Sequence, residues 1–232
     1  MQIAILCGGL ATRLKNLAKN KAKSMIDING KPFLEYQINN VKKYDIKDIV
    51  LCVGHLSEQI IDYFGNGEKF GVNLKYSHDG EKPLGPIGAL KKAENLLKKD
   101  FFIMYGDSYL SVNFKDVYNF YKKYDKPACM VIYKNQDKYD KSNLIIKDNL
   151  VLGYGDKERT KDMVYIDYGT SLLDKKILNT LQDDTYYSTG DFFAGLIKNH
   201  RLLAYEVKSR FYHIGNPEAL KEFREYIKTK GV

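Results

Sequence analysis

The stretch MQIAILCGGLATRLKNLAKNKAKSM, residues 1–25, decides how the rest of the chain is interpreted. Its apolar run, Ile3–Leu6, predicts a short buried strand, and two glycines follow that strand directly. Glycines let backbone N–H groups approach a phosphate closely, and Thr12 and Arg13 can add hydrogen bonds to it. The stretch is therefore either a phosphate-binding loop or a basic surface loop. It matches neither a Walker loop nor a G-x-G-x-x-G dinucleotide loop.

Strand and helix patterns alternate through the first half of the chain. The segments DIVLCVG, GVNLKYS and FFIMYGDS predict strands, whereas KPFLEYQINNVKKY has apolar residues at helical spacing. This alternation predicts a parallel sheet with crossover helices, and such sheets bind ligands at the carboxyl ends of their strands. Four candidate loops share that edge: Gly8–Gly9, Gly54–His55, the segment after Tyr76, and Gly106–Asp107.

The second half of the chain, from about Asp125, is richer in strands. ACMVIYK, SNLIIKDN, LVLGYGDK and VYIDYGTSLL read as strands joined by turns, and NPEALKEFREYIKTK reads as a terminal helix. Because no linker or low-complexity tract separates the halves, we expect one α/β domain over residues 1–232 with a smaller β-rich lobe.

Composition and charge restrict the partners. The net charge is +8 and the isoelectric point about 9.1, but the lysines are spread along the chain beside acidic residues. No nucleic-acid-binding motif, membrane-length apolar run or signal peptide is recognisable. Cys7, Cys52 and Cys129 lie in apolar runs, which favours buried, reduced thiols. We expect a cytoplasmic protein that binds a small phosphorylated ligand rather than nucleic acid or membrane.

Five segments together resemble the sugar-1-phosphate nucleotidylyltransferases. The chain has ILCGGLATRL … KAKSM where the family has G-G-x-G-T-R-L and P-K-P-M. It has KPLGPIGALKKA where the family has E-P-L-G-T-x-G-A. FFIMYGDS, GYGDKE … VYIDYGTSLLDKKIL and FYHIGNPEALKEF follow in the family's order. Among these enzymes, the chain is most similar to the short heptose- and mannose-1-phosphate guanylyltransferases. The resemblance implies a Rossmann-like, mostly parallel sheet flanked by helices, with a smaller β-rich lobe, of glycosyltransferase-A type.

The resemblance also implies the reaction and its residues. An NTP would react with a sugar 1-phosphate to give an NDP-sugar and pyrophosphate, with Mg²⁺, or Mn²⁺ in its place, as cofactor. Residues about 1–125 would bind the nucleotide and residues about 126–232 the acceptor. By position in the motifs, the implied nucleotide-binding residues are Leu6, Gly8, Gly9, Thr12, Gly85 and Gly88, the catalytic residues are Arg13, Lys23 and Asp107, the acceptor-binding residues are Lys157, Asp167 and Gly169, and the metal ligands are Asp107 and His213.

The chain departs from the family pattern at several of these positions. Ala22 and Ser24 replace the two prolines of P-K-P, and Lys82 stands where many members have glutamate. Asp167 replaces an asparagine that meets sugar hydroxyls, which adds a negative charge. His213 occupies the position of the second metal-binding aspartate, and a neutral imidazole is a poor ligand for Mg²⁺.

These departures leave alternatives open. One is a cytidylyltransferase acting on a non-sugar phosphate acceptor, and another is a degenerate nucleotide-binding regulatory module. A basic nucleic-acid binder has only the bulk charge in its favour. The sequence names neither the base nor the acceptor, and a homo-oligomer is compatible with it.

Overall fold

The structure is a computed structural model that describes residues 1–9, 14, 20–80, 82–155 and 159–230. Three of the predicted site residues, Thr12, Arg13 and Lys157, lie outside these ranges. Among the described residues, no helix is both long and apolar enough to cross a membrane.

The described residues form strands and helices that alternate regularly only in the first half. The strands are β1 (Gln2–Leu6), β2 (Asp27–Ile28), β3 (Lys31–Pro32), β4 (Asp48–Val53), β5 (Asn73–His78), β6 (Asp100–Tyr105), β7 (Ser108–Tyr109), β8 (Ala128–Lys134), β9 (Leu144–Lys147), β10 (Leu150–Tyr154), β11 (Tyr165–Asp174), β12 (Leu202–Val207) and β13 (Tyr212–His213). The helices are α1 (Phe33–Lys42), α2 (Ser57–Phe64), α3 (Gly85–Lys92), α4 (Phe114–Tyr121), α5 (Thr189–Lys198) and α6 (Pro217–Lys230).

One large sheet organises the molecule, in the order β5-β4-β1-β6-β11-β8-β12-β10-β9. The first four of these strands are parallel, as the alternating pattern predicts. From β11 onward the sheet is mainly antiparallel, with β12 parallel to β8. The α/β prediction is confirmed, and the sheet is mixed. The β-rich second half is the continuation of this sheet.

The parallel strands are buried on both faces. In β1, Ile3 and Ile5 pack in the cluster that contains residues of α1, α2 and α4, whereas Ala4 packs in the cluster that contains residues of α3 and α5. Successive strand residues point to opposite faces, so an apolar run without alternation is the pattern that a sheet covered on both sides requires. A third cluster, which includes Phe33 and Phe223, packs α6 beside α1.

The same alternation places the three cysteines in the core. Cys7, Cys52 and Cys129 are buried, and burial raises the pKa of the Cys7 thiol to about 12. Their predicted burial is confirmed. All three are therefore protonated, unreactive thiols at neutral pH.

Candidate active site

The loops after β5, β4, β1 and β6 border a cavity of about 380 Å³ at the carboxyl edge of the sheet. This volume lies within the range of small-molecule sites. Tyr154 and Thr189, from the second half of the chain, also line it. The predicted site residues around this cavity are Leu6, Gly8, Gly9, Lys23, Gly85 and Asp107.

Lys23 and Asp107 form an ion pair at the wall of this cavity. Lys23 Nζ donates a hydrogen bond to Asp107 Oδ2 over 2.5 Å, and the two side chains are only 15% and 24% exposed. Burial alone would raise the pKa of Asp107, but the charge and hydrogen bond of Lys23 outweigh burial, and that pKa lies below its usual value. The carboxylate is therefore ionised at any physiological pH.

Two features hold Asp107 in place. The preceding Gly106 donates its N–H to the carbonyl oxygen of Leu6 over 3.1 Å, and a Cβ on Gly106 would collide with that oxygen. On the other side, the buried Gln37 amide of α1 donates to the carbonyls of Tyr105 at 2.9 Å and Ser108 at 2.7 Å. The turn that carries Asp107 is thus fixed to both β1 and α1.

Lys23 begins a short 3₁₀ turn, residues Lys23–Met25. Ala22, which stands in place of the first family proline, has φ −58° and ψ 139°, values that proline itself favours. Its N–H donates to Oε1 of Gln59 on α2 over 3.0 Å. A side-chain hydrogen bond from α2 therefore supplies part of the restraint that the missing proline would give.

A smaller cavity of about 140 Å³ adjoins the first and shares Tyr105 and Asp107 with it. The predicted residues Asp167, Gly169 and His213 line this second cavity. They come from β11 and β13, whereas Asp107 follows β6. The structure thus places Asp107 between the residues predicted to bind the nucleotide and those predicted to bind the acceptor, an arrangement that the sequence could not give.

A bulge in β11 shapes the second cavity. The pairing of β11 with β8 shifts between Asp167 and Ser171, and Gly169 within this interval has φ +94°, which strongly favours glycine. Asp167 accepts hydrogen bonds from the Gly169 N–H at 2.9 Å and from the Tyr105 hydroxyl at 2.8 Å. A carboxylate has about four lone-pair sites, so Asp167 can accept several hydrogen bonds at once.

His213 lies beside Asp107 in the second cavity, and a positive charge on its imidazole would lower the pKa of Asp107 further. Its Nδ1 accepts the N–H of Gly215 over 3.0 Å. In a neutral imidazole, this hydrogen bond places the ring proton on Nε2, which then acts as a donor. A metal bound at Nε2 would require the other tautomer and the loss of this hydrogen bond.

The two predicted glycines of α3 differ in position. Gly85 lines the 380 Å³ cavity, with φ +72°, and a Cβ there would lie 2.6 Å from the carbonyl oxygen of Tyr187. Gly88 is buried, and a Cβ on it would lie 2.5 Å from the carbonyl oxygen of Thr185. Gly88 therefore makes room for the segment before α5, and it is not among the residues that line the cavity.

Within the described ranges, no group of three or more His, Cys, Asp or Glu side chains is placed to hold a metal ion. Asp107 alone nevertheless fits the way Mg²⁺ is bound in phosphoryl-transfer sites, by one or two carboxylates together with substrate phosphates. The donor set on the protein is thus one carboxylate, and the remaining ligands would come from the substrate.

Two side chains of the candidate site, Gln37 and Asp79, were not predicted from the sequence. Gln37 reads as a polar interruption on the apolar face of α1, and that interruption was the available signal. Asp79, directly after β5, lines the 380 Å³ cavity. Its place at the carboxyl end of a strand could have marked it as a candidate site residue. A larger cavity of about 920 Å³, beside Asp100 and Asp174, lies at the opposite edge of the sheet.

Comparison with known proteins identifies the family of this chain. The sequence model of the family described as Nucleotidyl transferase matches residues 3–229. D-glycero-alpha-D-manno-heptose 1-phosphate guanylyltransferase of Campylobacter jejuni is 32% identical over 225 residues, which cover 96% of this chain and 98% of that protein. Mannose-1-phosphate guanyltransferase of Saccharomyces cerevisiae is 28% identical over 94% of this chain, and this chain spans 62% of its length.

Solved structures give the same result. HddC from Yersinia pseudotuberculosis, in a complex with GMP-PN, superposes with a TM-score of 0.82 at 27% identity, over 97% of this chain and 99% of that one. The inositol-1-phosphate CTP transferase of T. maritima has a TM-score of 0.80 at 16% identity, a likeness of fold alone.

The chain belongs to the nucleotidyl transferase family. Within that family it is a sugar-1-phosphate nucleotidylyltransferase, an enzyme that couples an NTP to a sugar 1-phosphate to give an NDP-sugar. The predicted family and the predicted enzyme class are confirmed. The relatives favour them over a cytidylyltransferase with a non-sugar acceptor or a degenerate regulatory module.

Proposed function

We propose that the chain transfers the guanylyl group of GTP to the 1-phosphate of a manno-configured sugar, D-glycero-alpha-D-manno-heptose 1-phosphate or mannose 1-phosphate. The names of the Campylobacter and Saccharomyces relatives support this choice of substrates. The observation that carries the proposal is the position of Asp107, which lines both the larger, nucleotide-side cavity and the smaller, acceptor-side cavity.

In this proposal, residues about 1–125 supply most of the nucleotide site, and residues about 126–232 supply most of the acceptor site. A phosphate oxygen of the sugar 1-phosphate attacks the α-phosphorus of GTP. The bond from that phosphorus to the bridging oxygen of the β-phosphate breaks, and pyrophosphate leaves. Both reactants are anions, so the site has to supply positive charge where they meet.

Lys23 is the described side chain best placed for that task. It exchanges its ion pair with Asp107 for the triphosphate, and it stabilises the charge that grows as pyrophosphate departs. Thr12 and Arg13 remain predicted partners of the triphosphate, and Lys157 a predicted partner of the acceptor's phosphate. Asp107 would hold Mg²⁺, or Mn²⁺ in its place, and this ion would neutralise phosphate charge and orient the α-phosphate.

On the acceptor side, Asp167 accepts hydrogen bonds from sugar hydroxyls. Tyr105 fixes the orientation of this carboxylate through the 2.8 Å hydrogen bond. We assign His213 a donor role toward the acceptor's phosphate rather than a metal-binding role. This assignment follows from the Gly215 hydrogen bond to Nδ1, which leaves the proton on Nε2.

A matrix assay of pyrophosphate release tests the function. Each of GTP, CTP, ATP and UTP is combined with heptose, mannose, glucose and inositol phosphates in the presence of Mg²⁺ or Mn²⁺. We expect GTP with a manno-configured sugar 1-phosphate to give the highest kcat/KM, and Asp107→Asn to lower that rate by about two to four orders of magnitude. Absence of pyrophosphate release from GTP with every sugar 1-phosphate would overturn the proposal, and a preference for CTP with inositol phosphate would replace it.

A further inference from the structure

We propose that Asp79 selects the guanine base by accepting hydrogen bonds from its N1–H and its 2-amino group. The inference rests on the proposed function, because it concerns the nucleotide in the same cavity. It assigns a specificity-determining role to a side chain that is not part of the predicted site.

The first support is the place of Asp79 along the edge of the sheet. Asp79 follows β5, whereas Asp107 follows β6, and β4 and β1 lie between these two strands. Neighbouring strands are about 4.8 Å apart, so the ends of β5 and β6 are roughly 14 Å apart. Asp79 and Asp107 line the same cavity, so a nucleotide that fills it with its α-phosphate at Asp107 places its base toward β5.

The second support is how the Asp79 carboxylate enters the cavity. A Cβ added to Gly8 would lie 3.1 Å from Asp79 Oδ2, and a Cβ added to Gly54 would lie 3.5 Å from the same oxygen. The carboxylate thus lies over the ends of β1 and β4 at two positions that have no side chain. It is one of the residues that line the nucleotide-side cavity.

The third support is the chemical state of this carboxylate. In the part of the chain that the structure describes, no hydrogen-bond donor reaches Asp79. Burial raises its pKa to about 6, and the nearby His78 only partly opposes this effect. At neutral pH the group is therefore an ionised, half-buried acceptor, and a ligand that brings donors would compensate for the lost hydration.

Among the common bases, guanine fits such an acceptor best. An ionised carboxylate can only accept, and guanine presents two adjacent donors, N1–H and the 2-amino group, on one edge. Adenine and cytosine present one amino group beside a ring nitrogen that is itself an acceptor. Uracil presents one N–H between two carbonyls, whose lone pairs would face the carboxylate.

The surroundings of Asp79 suit a flat ring. Leu6, Pro83, Pro86 and Ala89 line the same cavity, and together they offer apolar surface to the faces of a base. Asp79 thus places a charged acceptor beside apolar surface, and a few placed polar groups on apolar walls are how a small-molecule site combines affinity with selectivity.

Base-modified nucleotides test the inference on the unmodified protein. ITP lacks the 2-amino group, and 1-methyl-GTP lacks the N1–H. We expect wild-type kcat/KM to fall by about ten- to one-hundred-fold for ITP, the range of a good bidentate hydrogen-bond pair, and further for 1-methyl-GTP. Equal use of GTP, ITP and 1-methyl-GTP by an active wild-type enzyme overturns the inference and leaves the proposed function standing.

Asp79→Asn then identifies the residue responsible. The variant keeps the shape of the side chain but replaces one acceptor with a donor, so the GTP-to-ITP preference should fall toward unity. Asp148→Asn, at an exposed hairpin turn, should keep the wild-type preference. If Asp79→Asn keeps it as well, Asp79 does not contact the base. If wild-type protein releases pyrophosphate from no NTP, the proposed function and the inference both fall.

Discussion

Lys23 Nζ lies 2.5 Å from Asp107 Oδ2 across a gap of 84 residues in sequence. The two charges neutralise each other here, whereas in the proposed reaction Lys23 interacts with the triphosphate and Asp107 with a cation. A triphosphate would compete with Asp107 for Lys23, and the carboxylate so released would be available to a cation that accompanies the triphosphate. In the proposed reaction, the pair would keep a largely buried lysine and aspartate paired until the nucleotide binds.

The first prediction concerns this pair. Asp107→Asn and Lys23→Met should each lower kcat by about two to four orders of magnitude, because each removes charge complementarity at the reacting phosphate. The double variant should be little worse than either single variant, as expected for residues that act as a unit. Steady-state kinetics at saturating substrates and metal ion measure both effects.

Lys21→Met is the matched control, because Lys21 is exposed and only two residues from Lys23. Its kcat should stay within about twofold of wild type, since a solvated charge contributes little. Equal losses for Lys21→Met and Lys23→Met would mean that the loop acts only as a diffuse basic patch.

The second prediction concerns Gln37 as a positioning residue. Gln37→Glu replaces the donor to the Tyr105 and Ser108 carbonyls with an acceptor, so the turn that carries Asp107 loses its attachment to α1. We expect kcat to fall about tenfold or more, and the metal concentration for half-maximal activity to rise, with KM for the sugar 1-phosphate nearly unchanged.

The partly exposed Asn39 on the same helix provides the control. Asn39→Asp makes the same chemical change away from the turn and should leave these parameters unaltered. A Gln37→Glu variant with lower thermal stability but unchanged kcat and metal dependence would show that Gln37 only stabilises the fold.

The third prediction concerns the pH dependence of stability at Asp79. Its folded pKa of about 6 lies above its ordinary value of 3.8, so folding favours the protonated form. The contribution of the group to the free energy of unfolding is full below about pH 4 and is lost as the pH rises through about 6. Asp79→Asn cannot ionise. It should therefore gain stability relative to wild type with rising pH, by about 1 kcal/mol at pH 7.5 after allowance for solvent screening.

Urea unfolding of the ligand-free protein at pH 4.5, 6 and 7.5 measures this difference. Asp148→Asn should track wild type at all three pH values, because Asp148 is exposed. If the stability difference between Asp79→Asn and wild type does not change with pH, Asp79 is not desolvated in the free protein.

The fourth prediction separates two roles for His213. As a donor to the acceptor's phosphate, it should be partly replaceable by glutamine, and His213→Ala should raise KM for the sugar 1-phosphate by about tenfold. The concentration of Mg²⁺ for half-maximal activity should not change in either variant. A rise in that concentration with KM unchanged would instead restore the metal-binding role that its position in the motif implies.

The fold was predictable where the pattern is local. The apolar run of β1 and the Gly-Asp end of β6 identify parallel strands and the edge that binds ligands. The joining of β11 to β6 was not predictable, because antiparallel pairing across more than 60 residues leaves no periodic signal in either strand. For that reason the second half read as a lobe of its own, although it continues the same sheet.

The candidate site, too, was predictable from the sequence only in part. Lys23 and Asp107 stand in recognisable motifs, whereas Gln37 acts through hydrogen bonds to backbone carbonyls that a sequence does not display. Gly88 stands in a nucleotide-binding motif, and the structure adds a packing reason for it, since its missing side chain makes room for Thr185. Asp79 lies in a polar loop, where an aspartate is ordinary, and only the structure shows its carboxylate over Gly8.

Isotope labelling tests whether the sugar phosphate attacks the α-phosphorus of GTP, because it follows the oxygen atoms of the reaction. Mannose 1-phosphate and heptose 1-phosphate, with ¹⁸O in the three non-bridging phosphate oxygens, are each incubated with GTP, Mg²⁺ and the enzyme, and the products are analysed by mass spectrometry. With at least one of the two acceptors, we expect all three labelled oxygens in the GDP-sugar and none in pyrophosphate. Label in pyrophosphate, or pyrophosphate formed without a GDP-sugar from either acceptor, would contradict attack by the sugar phosphate on the α-phosphorus at the Lys23–Asp107 site.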